Sequence, residues 1–394
     1  MLPLENIKIL DLSRLAAGNM VSHMFADFGA DVVKVEKPGK GDDLRNWKIN
    51  GISHWWAVYS RNKRSISIDL KKDEGLDLLK ELVKSADVFI ENFVPGTLEK
   101  WGIGPEQLNK LNKNLIILRI SGWGQTGIFK NAPGFGSLVE GMSGFAAMTG
   151  EEKQSPLLPP LALADMVAGL TGFGAILMAI LTSKKNNTGG QVIDLSLFEP
   201  FFSILGPWAA SYKISGKVPE RIGNRSNVAA PRGIYKTKDN KYVSLSASMQ
   251  SMWEKLALTI GSSDLIKDPR FLTNSDRLNN QDDLDKPISK FIKKYSREEV
   301  LNIFSKEGIT VGPVLDISEI IDHPYIQDRE VLIDHYNKEY GNVLMHQAFP
   351  RLSKTPGKIR HSAPSLGGDT DLVLKEIGIS EKQIQMLRKN KIIN

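Results

Sequence analysis

Between Ile7 and Ile120, short apolar runs and helical patterns follow one another in turn, and this alternation limits the possible folds more than any other feature. Ile7 to Leu12 reads as a strand, Met20 to Phe28 as a helix, and Asp31 to Val35 as the next strand. Ile66 to Leu70 is extended, Glu74 to Ser85 has the i, i+3, i+4 apolar spacing of an amphipathic helix, and Val88 to Glu91 is a strand again. The helical Pro105 to Leu111 then precedes a strand at Leu115 to Ile120. Several of these strands are mostly apolar, as suits strands covered on both faces. The pattern predicts an α/β fold with a Rossmann-like parallel sheet.

A chain of 394 residues exceeds the roughly 250 to 300 at which a single core stops growing, so two domains are expected. After Gly122 comes an irregular, glycine-rich stretch, then a long apolar helix after Asp165 and a further strand at Gln191 to Leu197. Lys217 to Arg232 is poor in apolar residues and reads as a domain junction. Beyond it, Gly233 to Ala247 forms two extended runs around Lys238-Asp239-Asn240, a hairpin signature. Helices are predicted at Ser251 to Ile260, at Pro287 to Lys294 with proline in its first turn, and at Arg297 to Glu307. This second unit reads as α+β, and the basic tail from Val343 ends in a helix at Glu381 to Lys389.

Composition removes whole classes of chemistry. With no cysteine, disulfides, thiolate zinc sites and cysteine nucleophiles are excluded, leaving carboxylates, hydroxyls, lysines and six histidines. The net charge of +6 comes from scattered lysines such as Lys184-Lys185 and Lys293-Lys294, and a nucleic-acid footprint would instead cluster on one face. The opening MLPLENIKILDL has neither a basic leader nor an apolar signal core, which predicts a cytoplasmic address. Met166 to Thr182 carries no charge, but spanning a membrane takes about 20 residues, and Gly169, Gly172 and Gly174 interrupt the run. A buried core helix is expected there.

Gly122-Trp123-Gly124-Gln125-Thr126-Gly127 fits G-x-G-x-x-G after a strand. A true dinucleotide fingerprint opens a helix, however, and here Pro133, Gly134 and Gly136 follow closely. P-loop, nucleophile-elbow and zincin motifs are absent from the sequence. Asp165 stands at the entrance of the long apolar helix. It can cap that helix, or the same amides and the helix dipole can keep its carboxylate ionised and aimed, and both can hold at once.

Blocks in order along nearly the whole chain, IKILDLSRLAAGNMVSHMFADFGADVVKVEKPGKGDDLR, SRNKRSISIDLKKDEG, ADVFIENFVPGTLEKWGIG, LIILRISGWGQTG, LADMVAGLTG and TGGQVIDLSLFE, resemble the class III coenzyme A transferases, the family of formyl-CoA:oxalate and carnitine CoA-transferases. The resemblance implies a large Rossmann-like domain built from residues 1–216 and 331–394, a small α+β domain at 217–330, and a ring-like homodimer of intertwined subunits. It places Asp165 on the nucleophilic aspartate, with coenzyme A entering as an acyl-CoA substrate, a small carboxylic acid as acceptor, and neither a metal nor a tightly bound cofactor. By the same resemblance Leu15 and Lys37 are CoA contacts near the first two strands, Leu70 and Lys71 line the adenine pocket, and Asn92, Phe93 and Lys100 meet the pantetheine and phosphates. GWGQTG becomes a loop at the thioester end, its glycines allowing close backbone approach.

The sequence also departs from the family pattern. Ala16 stands where many members carry a polar residue, and Phe135-Gly136 stands where formyl-CoA transferases have an aromatic residue and Glu, and where acyl-CoA racemases have His-Asp. A racemase needs a base on that side of the α-carbon, and none of the six histidines is near position 136 in sequence. Transfer is therefore expected over the alternatives, a 2-methylacyl-CoA racemase or isomerase on the same fold and a catalytically silent acyl-CoA-binding protein.

Overall fold

The computed structural model describes residues 1–394, and the chain divides into two compact units. The first gathers Met1–Phe145, Leu158–Trp208 and Glu330–Asn394, and the second Ala146–Leu157 and Ala209–Arg329. Two segments that the sequence reading placed in the large domain, Ala146–Leu157 and 209–216, thus pack with the second unit. Long-range contacts account for the first: Gly223 N–H donates to Gly150 O at 2.9 Å, and the Arg221 guanidinium reaches Ala147 O and Glu151 O.

The first unit is built on a six-stranded sheet in the order β3-β2-β1-β4-β5-β6, comprising β1 (Lys8–Asp11), β2 (Asp31–Glu36), β3 (Lys63–Ser67), β4 (Val88–Glu91), β5 (Ile116–Ser121) and β6 (Val192–Ser196). Every neighbouring pair is parallel, so the α/β class and the Rossmann-like sheet hold. The connecting helices used below are α1 (Ala17–Asp27), α2 (Asp73–Val83), α3 (Pro105–Leu111), α4 (Gly136–Met142) and α5 (Leu163–Asn186). Successive strand residues feed opposite faces. Leu10, Val33, Phe89 and Ile117 join Leu79 in one core, while Ile9, Val32, Ile90 and Leu118 join Val21 and Ile176 in the other.

Helix α5 crosses α1 closely because two of its residues have no side chain. A Cβ on Gly169 would fall 2.6 Å from Met20 Cβ, and one on Gly172 would fall 2.9 Å from Val21 Cγ2. The expected buried core helix is only half realised: Leu170, Met178 and Leu181 on its other side are exposed. By length and composition the helix could cross a membrane. A run that is apolar all round carries no signal for which face is covered.

Polar residues inside the sheet were not foreseen. Strand β3 begins at Lys63, three residues before the expected Ile66, and Lys34, Lys63 and Asp11 are all fully buried. Lys34 Nζ bridges Asp11 at 3.1 Å and Asp42 at 3.0 Å, and also donates to Ser13 O. Lys63 Nζ donates to Asn19 Oδ1 at 2.9 Å, and Asn19 Nδ2 donates to Asp42 at 2.8 Å. Asp42 in turn accepts the Leu15 N–H at 2.9 Å, holding that residue at φ 62 in the left-handed region. The turn leading into α1 is therefore fixed by side chains on two neighbouring strands.

The second unit is built on a three-stranded antiparallel sheet of β7 (Arg232–Lys236), β8 (Tyr242–Ser246) and β9 (Val311–Val314) in that order. The hairpin is as expected, with Asn240 at φ 61. Strand β9 was hidden by Gly312 and Pro313. Helices α6 (Gln250–Thr259), α7 (Gln281–Ile292) and α8 (Arg297–Lys306) cover the sheet around Trp253, Ile288 and Phe304. Pro287 lies inside α7 rather than in its first turn, because the helix starts at Gln281, where Asp282 and Asp283 suit its N-terminal dipole.

The chain then returns to the first unit through the hairpin β10 (Leu332–Asn337) and β11 (Gly341–His346), followed by α9 (Thr370–Glu376) and α10 (Glu381–Lys389). The last residues lie against the loops after β2 and β3: Asp69 N–H donates to Ile392 O at 2.8 Å, Gly39 N–H to Asn394 Oδ1 at 3.1 Å, and Lys72 Nζ to Asn390 O at 2.8 Å.

Removing one member of a buried ion pair strands its partner. Lys34→Met should therefore cost about 3–5 kcal/mol, measured as a lower denaturant midpoint for the unfolding of the first unit.

Candidate active site

Asp165 is the third residue of α5, inside its first turn, where the sequence reading had it as a possible cap. The residue at the cap position, Ala162, has no side chain to accept a hydrogen bond. That task passes to a neighbouring helix: Glu140 of α4, 3% exposed, takes the Ala164 N–H on Oε1 at 3.0 Å. The Ala17 N–H at the start of α1 lies near the Asp165 carboxylate and favours its charged form. Gly136 lies directly against it, since a Cβ there would fall 2.3 Å from Asp165 Oδ2.

Burial raises the Asp165 carboxyl from its ordinary 3.8 to about 6, with the nearby Glu140 charge adding to the effect and the amides of Asp165 itself and of Ala17 opposing it. At neutral pH the group is mostly ionised and poorly solvated.

Asp165 opens onto a cavity of about 540 Å³ lined also by Leu15, Asn92, Phe93, Gly122, Trp123 and Phe135. A second cavity of about 290 Å³ is lined by Lys37, Leu70, Lys71, Phe93 and Trp101. Arg14, Phe93 and Val94 line both, so the two adjoin. The structure thus gathers Leu15, Asn92, Phe93 and Asp165 around one space, and Lys37, Leu70 and Lys71 with Phe93 around the next. Lys100 is exposed on the short helix Thr97–Lys100 and lines neither. Asn92 is committed to the backbone, accepting from Arg14 N–H and donating to Arg14 O, both at 2.8 Å. The GWGQTG segment is a loop, as expected. Its Gly122 and Gly134 backbones nearly touch, a Cβ on Gly122 falling 2.5 Å from Gly134 Cα.

Sequence reasoning missed Glu140, Arg14 and the role of Gly136. Glu140 did leave a signal, as the only charged residue between Asn131 and Gly150. The histidines lie elsewhere, and none lines the Asp165 cavity. His23 is fully buried, stacks edge-on against Tyr59 and His346, and is held to about 3 by desolvation, so it stays neutral.

Because the folded-state value of Asp165 lies above its unfolded value, the folded protein holds an extra proton between about pH 4 and 6 and loses stability as pH rises through that window. The full cost above pH 6 is about 3 kcal/mol. Asp165→Asn lacks this ionisation. It should be more stable than wild type at pH 8, and the gain should shrink toward zero by pH 4, read by denaturant titration at both values.

The pattern of CoA-transferase family III matches residues 4–370. The succinyl-CoA:D-citramalate CoA-transferase of Chloroflexus aurantiacus is 35% identical over 396 residues, covering 99% of this chain and 98% of that one. Human succinyl-CoA:glutarate CoA-transferase is 32% identical, over 95% of this chain and 86% of its own length. A crystal structure of a CAIB/BAIF family protein from Brucella suis superposes with a TM-score of 0.84 at 32% identity, covering 95% and 99% of the two chains. With its sheet, its cavities and these relatives in agreement, the chain belongs to family III of the CoA-transferases, enzymes that use CoA thioesters as substrates.

Proposed function

We propose that the protein moves coenzyme A from succinyl-CoA to a small carboxylic acid through covalent adducts on Asp165. An Asp165 oxygen attacks the thioester carbonyl, the C–S bond breaks, and a mixed anhydride and CoA thiolate form. The thiolate attacks the aspartyl carbonyl, giving an aspartyl-CoA thioester and releasing the donor as its carboxylate. The acceptor carboxylate then attacks that thioester, and the returning thiolate attacks the acceptor acyl group, freeing Asp165. Dividing one transfer into acyl exchanges between similar species is the logic of covalent catalysis.

The observation that carries this reading is the position of Asp165 on a cavity that adjoins a second one bearing Lys37 and Lys71. The second space suits the nucleotide of CoA, whose phosphates would meet the lysines as point charges. Phe93, at the junction, suits the pantetheine arm. CoA here is a substrate that comes and goes, with no tightly bound cofactor. The succinyl donor rests on the relatives, which are named for succinyl-CoA paired with citramalate or glutarate. A cytoplasmic homodimer belongs to the same reading, and the exposed apolar side of α5 supports the pairing of two subunits. Racemisation is disfavoured by the lack of room for a side chain at Gly136 and of a histidine on the cavity.

Asp165→Ala should lower transfer from succinyl-CoA by at least about 10³-fold while leaving CoA affinity nearly unchanged. Wild type mixed with succinyl-CoA and hydroxylamine should yield a hydroxamate on Asp165 by peptide mass mapping. A variant that keeps turning over, or a trapped label on another residue, would overturn the mechanism.

Gly136→Ala should push the carboxylate off line and lower kcat by about 10²-fold. In wild type, kcat/KM should fall below about pH 6, where Asp165 takes up its proton.

A further inference from the structure

Two carboxylates share the entrance of α5 although only one is needed as a nucleophile. Glu140 is 3% exposed and tied to the backbone by the Ala164 N–H at 3.0 Å, which sets it beside Asp165 at the first turn of α5. From the other elements packed there, Ala17 of α1 offers only an amide, while Arg14, Asp43 and Lys130 line the wider cavity. No ion pair to Asp165 offsets the charge of Glu140, and each Asp165 ionisation occurs under repulsion.

We infer that Glu140 is a positioning residue which caps α5 in place of Ala162 and, by its fixed charge, drives Asp165 toward the acylated state. The exchange in question is Asp165 carboxylate plus acyl-CoA giving Asp165-CoA thioester plus free acid. The charge leaves the buried site with the departing acid, so the repulsion from Glu140 is relieved. A proton on Asp165 relieves the same repulsion. Adduct stability and acid sensitivity are therefore two readings of one interaction, and a shift of one pH unit in the acid limb corresponds to a tenfold change in the adduct equilibrium.

The inference rests on Asp165 being the nucleophile, and the experiment separates the two failures. Glu140→Gln keeps an oxygen for the Ala164 N–H and removes the charge. The fraction of enzyme carrying CoA is read by intact mass at a fixed ratio of succinyl-CoA to succinate, and the acid limb by kcat/KM against pH. The expected result is a limb moved down by roughly one unit and an adduct equilibrium weakened about tenfold in step with it. Glu140→Asp keeps the charge but shortens the reach. It should lose thermal stability while holding the wild-type limb, which tests the charge effect even if the Gln variant folds poorly. A limb that stays put in Glu140→Gln, or that follows stability instead of charge in Glu140→Asp, overturns the role of Glu140. Absence of any adduct in wild type overturns the nucleophile itself.

Discussion

The buried ammonium of Lys34 between Asp11 and Asp42 is the constraint on which the site is built. Three buried charges, two on the sheet and one on the loop after β2, are costly to desolvate, and this arrangement offsets the cost with close pairing and hydrogen bonding. In return, the turn after β1 is held in one conformation. Leu15 stays at a left-handed φ because Asp42 grips its amide, and α1 then starts with the Ala17 amide near the Asp165 carboxylate. Asp165 is thus faced by a turn held by groups on β1, β2 and the segment before Leu44, all distant from it in sequence.

Much of this was legible beforehand, wherever apolar periodicity decides the outcome. Strand β4 at Val88–Glu91, the helix Pro105–Leu111 and the helix Glu381–Lys389 fall where their spacing puts them. Strand β3 was placed three residues late because Lys63 and Ser65 look like surface residues until Lys63 is seen to reach Asn19 and Asp11, and Ser65 to donate to Glu36. Asp165 stood out at a helix entrance, but its depth within the first turn depends on Glu140, which reaches over from another helix and leaves no local trace at position 162. Lys100 was assigned by resemblance alone, and its place on an exposed surface outside both cavities depends on how the short helix after Pro95 is turned. The apolar run of α5 announced a helix without announcing that part of it faces outward.

The charges gathered at the entrance of α5 make it a weak point of the fold. An ionised Asp165 beside a buried Glu140 is unfavourable for the free protein, and the rest of the first unit has to hold it in place. Such opposition between activity and stability is common where a functional group is kept partly desolvated. Here it is confined to two residues and a glycine, Gly136, whose missing side chain leaves the carboxylate its room.

The contacts of residues 390–394 with the loops after β2 and β3 bear on how the protein matures during synthesis. The loop carrying Leu70 and Lys71 is braced by backbone made more than three hundred residues later, after the whole second unit has emerged. At roughly 5–20 residues per second, translation of residues 209–329 alone takes on the order of ten seconds. During that interval the early strands exist without the contacts that Asp69, Gly39 and Lys72 make to residues 390–394.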